Sequence, residues 1–102
     1  MNKLYEIAKG LIKRFPEGNE PYQMATRLLE ECGEVAAEVS HWEDSGVKRQ
    51  KRGEPNKEYL ANEIKQAIVC LIRIAMYYSI ENELEESINQ SIQKLKNEGL
   101  IN

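Results

Sequence analysis

Apolar residues recur at helical spacing in four stretches of this chain. The first is Asn2–Arg14, where Leu4, Ile7, Ala8, Leu11 and Ile12 share one stripe. The second spans Tyr22–Trp42, with Ala25, Leu28, Leu29, Cys32, Val35, Ala36, Val39 and Trp42 forming a broad apolar face. Asn56–Tyr78 is the third, and Asn56 is a suitable N-cap for it. The fourth runs over Asn82–Asn97, with Leu84, Ile88, Ile92 and Leu95 at four- and three-residue steps, and Gly99 suits its C-terminal stop. Pro16, Gly18 and Pro21 separate the first two, and a polar stretch from Glu43 to Pro55 separates the second from the third. No run alternates as a strand would. The pattern predicts an all-α, four-helix bundle-like fold in a single domain over residues 1–102.

One segment does not suit a free-standing bundle. Ala67–Tyr78 is apolar nearly all round, as in a helix buried on several sides by its own core or by another chain. Four short helices cannot easily cover that surface. Completion by self-association into a homodimer or homotetramer is therefore expected.

Composition narrows the chemistry. A net charge of −3 disfavours a nucleic-acid partner. Every acid except Asp44 is Glu, in keeping with helices, whose interiors tolerate Glu better than Asp. Cys32 and Cys70 form no C-x-x-C pair and read as reduced thiols in the core or at its edge; a disulfide between them is the alternative. The stretch Met1–Arg14 is too polar for a signal peptide, and Arg73 interrupts the longest apolar run, so no membrane span is expected. A cytoplasmic location follows.

The distinctive feature is a row of glutamates. At about 100° per residue, Glu31, Glu34 and Glu38 fall within roughly 60° of one another, with Glu30 beside them. The row borders the apolar face of its helix, which places it where the helix meets a neighbour. Like charges packed there need neutralising, by a hard divalent cation with oxygen ligands or by Arg27 one turn earlier. For an arbitrary Glu-rich helix a solvated face is the commoner arrangement. Gly33 speaks for something closer, since a mid-helix glycine is costly unless another backbone approaches it. On the third helix Glu63 and Gln66 share a face continued by Cys70 and Arg73. With the two helices antiparallel, Glu31 and Glu34 face Glu63 and Gln66 across a polar pocket, a usual way for bundles to build a metal site.

These residues resemble the MazG-like family of all-α nucleotide pyrophosphohydrolases. The family pattern is Glu-Glu-x-x-Glu, a variable loop, then Glu-x-x-Asp. Here Glu30-Glu31-Cys32-Gly33-Glu34 matches its first half, and Glu63-Ile64-Lys65-Gln66 its second, with Gln66 where the family has Asp. The resemblance covers roughly Tyr22–Lys94. It implies cleavage of a nucleoside triphosphate between the α- and β-phosphates, to the monophosphate and pyrophosphate, with Mg²⁺ or Mn²⁺. Carried over by position, Glu31, Glu34, Glu63 and Gln66 are the metal ligands. Gln66 contributes a neutral carbonyl where a charged carboxylate is usual, which weakens the expected activity. Glu30 is the residue to orient or deprotonate water. Lys94, then Lys96, are the counterparts of the family's phosphate-holding basic residue on the last helix. The family's dimers and tetramers also suit the expected self-association.

The remaining candidates are weaker. Lys48, Arg49, Lys51 and Arg52 in the polar loop are more simply solvated than clamped on phosphates. Trp42, Tyr59 and Tyr77 are more often packing residues than base-stacking ones, and His41, alone of its kind, is expected to be structural. Because Gln66 replaces an acid, a second reading stands beside the hydrolase: a non-catalytic scaffold of the same fold that binds nucleotide or a protein partner. A plain helical adaptor is the third, and holds if the acidic row is fully solvated.

Overall fold

The computed structural model describes residues 2–43 and 53–102; the basic cluster Lys48–Arg52 lies outside them. Among the described residues there are four helices and no strand: α1 (Asn2–Arg14), α2 (Pro21–Glu43), α3 (Lys57–Tyr77) and α4 (Glu81–Asn97). The bounds follow the local chemistry. Pro21 sits in the first turn of α2, where its missing N–H is no loss. Asn56 caps α3, its Oδ1 accepting the Tyr59 N–H at 2.9 Å. Helix α4 closes on Gly99 at φ 75°, where the Leu100 N–H reaches the Leu95 carbonyl at 2.9 Å. Helix α3 closes the same way, Ile80 N–H to Ala75 carbonyl at 3.0 Å, but there Ser79 takes the positive φ of 55°.

Helix α3 is the hub, packed on one side by α1 and α4 and on the other by α2. The apolar core lies on the first side. Ala8, Val69 and Ile72 are fully enclosed, and Leu4, Tyr5, Leu11, Met76 and Leu84 pack around them. The second side is different. Helix α2 buries Met24, Glu38 and His41 and leaves Leu29, Cys32 and Val39 exposed. Of the broad apolar face expected on α2, Leu28, Val35 and Trp42 are partly buried while Ala25, Leu29, Cys32, Ala36 and Val39 are exposed, and the acid row that borders this face meets α3. Cys32 is accordingly exposed while Cys70 is buried, and both are free thiols.

Several apolar surfaces stay open in the single chain. Ile64, Ile68 and Leu71 line one face of α3 at four- and three-residue steps, each more than a third exposed. Helix α4 buries none of its residues. Gly33 also departs from expectation: beyond its own stretch of helix, a Cβ built there meets nothing within 4 Å among the described residues. No helix among the described residues is long and apolar enough to cross a membrane.

Candidate metal centre

Two facing rows form the seam between α2 and α3. On α2 the row is Arg27, Glu31, Glu34, Glu38 and His41; on α3 it is Tyr59, Glu63, Gln66, Cys70 and Arg73. Both step by three and four residues, so each stays on one helical face. The helices run antiparallel. The His41 Nε2–H meets the Gly53 carbonyl at 2.7 Å near one end, and near the other Arg73 donates through Nη2 to the Asn19 Oδ1 and Tyr77 through its hydroxyl to Glu20 at 3.3 Å.

At the middle of the seam, Glu31, Glu34 and Glu63 each bring a carboxylate oxygen within 4.8 Å of the others. Glu63 is the most enclosed, 5% exposed, and its Oε2 is buried with no hydrogen-bond partner among the described residues. Its proton affinity shows the strain of this position. The hydrogen bond with Glu34, burial, and the charges of Glu34 and Glu31 push the Glu63 carboxyl up to about 7, against a smaller opposing effect of a hydrogen bond from Tyr59. Glu31 is raised too, by burial first and then by Glu34, with Arg27 pulling the other way. Such a trio is short of positive charge. Its oxygen donors and its orphaned buried oxygen fit a hard divalent cation.

The other expected residues lie elsewhere. Glu30 is exposed and lines a shallow groove with Tyr22, Gln23, Thr26 and Arg27, outside the trio. Gln66 is half-buried and borders a small, partly open cavity of about 220 Å³ along with Glu31. That cavity is lined also by Leu11 and Phe15 from the α1 side, by Arg27 on α2, and by Cys70 and Arg73 on α3. Lys94 and Lys96 are exposed in the last turn of α4 and line neither this cavity nor the one beside His41.

Two features were not drawn from the sequence. The first is a cavity of about 580 Å³ where α2 ends and α3 begins, lined by Glu38, His41, Glu54, Asn56, Glu58 and Tyr59. Glu38 and His41 are each 4% exposed, with the His41 Nδ1 at 3.8 Å from the Glu38 carboxylate. His41 therefore has a structural task, tying the end of α2 to Gly53. Tyr59 joins this cavity to the trio through Glu63. The second is the closeness of Arg27 and Arg73. Burial, then the Arg27 charge, pulls Arg73 below the ordinary arginine range. Its signal in the sequence was a lone cation inside an apolar run, seven residues after Gln66 and so on the same face. Cys70 stays a neutral thiol, raised by burial and then by Glu31, which fits its lack of a catalytic partner. Set against protein-family models, curated proteins and solved structures, the chain matches none of them.

Proposed function

We propose that this chain is a metal-dependent nucleoside triphosphate pyrophosphohydrolase of the MazG-like kind. The observation that carries the reading is the convergence of Glu31, Glu34 and Glu63 from two helices, with one buried carboxylate oxygen left without a partner. The sequence resemblance independently names the same three residues. Mg²⁺ or Mn²⁺ held there would neutralise phosphate charge and make water a better nucleophile. Glu31, Glu34 and Glu63 supply oxygen donors, and Tyr59 orients Glu63. The neighbouring cavity of about 580 Å³ is of a size that takes small organic ligands, and its acidic lining suits a nucleoside end better than a triphosphate. Glu30 acts on water only if substrate or a partner chain brings the reaction to its side of α2.

Self-association belongs to the same reading. The radius of gyration is 17.0 Å, against about 13 Å for a compact chain of this length. The accessible surface is 7728 Å², where a compact monomer of this mass shows about 5,900 Å². Exposed apolar residues on α2, α3 and α4 add to that surface, and a homodimer or homotetramer in the cytoplasm would cover them.

The test is pyrophosphate release over a panel of nucleoside triphosphates with Mg²⁺ or Mn²⁺, beside calorimetric metal titration. Turnover that is lost in Glu34→Gln and kept in Glu85→Gln supports the proposal. Glu85 is a suitable control because it lies near the start of α4, where the helix dipole already favours negative charge. A protein that binds neither metal nor nucleotide overturns it. Gln66 favours the second reading, a nucleotide-binding scaffold without catalysis, and binding of metal and nucleotide with no pyrophosphate released would select that one.

A further inference from the structure

We infer that the partly open cavity between α1, α2 and α3 is an oxyanion subsite, in which Arg27, Arg73 and Gln66 hold a phosphoryl group. Arg73 is 5% exposed and its Nε–H is buried with no acceptor. Among the described residues its hydrogen bond runs from Nη2 to the neutral Asn19 side chain. Among the described residues no carboxylate forms an ion pair with it. A guanidinium keeps its proton in such surroundings, so the positive charge persists inside the fold. A second guanidinium, Arg27, stands close enough to disfavour it further. A buried cation beside a like charge, with a donor left over, calls for an anion. The cavity between them, about 220 Å³, has room for several waters at about 30 Å³ each, or for one tetrahedral oxyanion.

Residue 66 acquires a different meaning here. Gln66 lines this cavity beside Glu31, and its amide can donate to an anion where a carboxylate would repel one. Glu31 stands at the boundary, in the carboxylate trio with Glu34 and Glu63 and within reach of the Arg27 charge. The seam thus passes from acidic to basic within about two turns of helix. A phosphoryl group in the basic half lies next to the acidic half that suits a cation. The identity of that group as part of a nucleotide or of pyrophosphate rests on the proposed hydrolase reading; the anion site itself does not.

The experiment uses the full chain in EDTA, titrated with inorganic pyrophosphate and with orthophosphate by calorimetry and ³¹P NMR. Saturable binding is expected, weakened roughly tenfold or more by Arg27→Gln and by Arg73→Gln, as for the loss of a charge-assisted hydrogen bond. Gln66→Glu weakens it in the same direction, and Glu34→Gln leaves it unchanged or tighter. Arg27 is exposed, so Arg27→Gln keeps the helical circular dichroism and decides the matter even if Arg73→Gln fails to fold. Absence of saturable binding below roughly 10 mM, or wild-type binding by Arg27→Gln, overturns the subsite. Because no metal or turnover is involved, its failure is separable from that of the hydrolase reading. Phosphate binding without nucleotide turnover keeps the subsite and removes the enzyme. Turnover without phosphate binding in EDTA does the reverse.

Discussion

At the scale of single residues, Glu63 makes the carboxylate trio accessible to experiment without a ligand. In the folded, metal-free chain its carboxyl holds a proton up to about pH 7, whereas the ordinary value is 4.5. Between those values the folded state binds more protons than the unfolded one, so stability falls as pH rises through the window. Thermal melting in EDTA should show a higher Tm near pH 5 than near pH 8, with a loss on the order of 2 kcal/mol. Glu63→Gln should flatten that slope; an unchanged slope would mean that Glu63 does not crowd its neighbours. Divalent metal must displace the same proton, so its affinity should rise with pH over this range. Gly33 gives a second prediction. Among the described residues nothing outside its own stretch of helix lies within 4 Å of its absent Cβ, so Gly33→Ala should stabilise the single chain by about 0.5–1 kcal/mol. A lower Tm would show that another chain packs closely there.

At the scale of elements, the helix ends carry separable contributions. Asn56→Ala removes the side-chain acceptor of the Tyr59 N–H and should cost about 1 kcal/mol, read as a lower denaturant midpoint. Ser79 closes α3 in the left-handed region at φ 55°, a conformation that glycine adopts without a Cβ penalty. Ser79→Gly should therefore raise stability by up to about 1 kcal/mol, seen as an upward shift in Tm. If it does not, the entropy of the glycine in the unfolded chain outweighs the relief of strain. Helix α4 differs from the others in having no buried residue, and only Leu84 joins the main core. Its amphipathic pattern makes it a helix without yet making it a packed one.

At the scale of the whole molecule, unsatisfied surface is the dominant fact. Leu71 is half exposed on α3, in line with Ile64 and Ile68. Light scattering at micromolar concentration should report a dimer or a larger oligomer. Leu71→Glu should shift it toward monomer while helical circular dichroism persists, because a charge in an apolar interface is hard to desolvate. A monomeric wild type would remove the self-association expectation. It would leave the carboxylate trio untouched, since Glu31, Glu34 and Glu63 all come from one chain.

The sequence by itself determined the four helices and the pairing of glutamate rows. Apolar spacing, Asn56 and Gly99 act locally, through backbone hydrogen bonds and helical periodicity, and such effects are readable residue by residue. Glu31, Glu34 and Glu63 were legible as neighbours because helical phase and one antiparallel assumption suffice to bring them together. How much of the apolar side of α2 the single chain covers was decided only by the tertiary structure. The acid row and the apolar face share a border, and packing in the single chain seated the acid row on α3, covered Leu28, Val35 and Trp42 in part and left Leu29, Cys32 and Val39 outside. The same choice put Glu30 outside the trio, freed the space around Gly33 and enclosed Arg73 beside Arg27. These outcomes depend on how three helices share one volume, a non-local competition for burial that no spacing along the chain records.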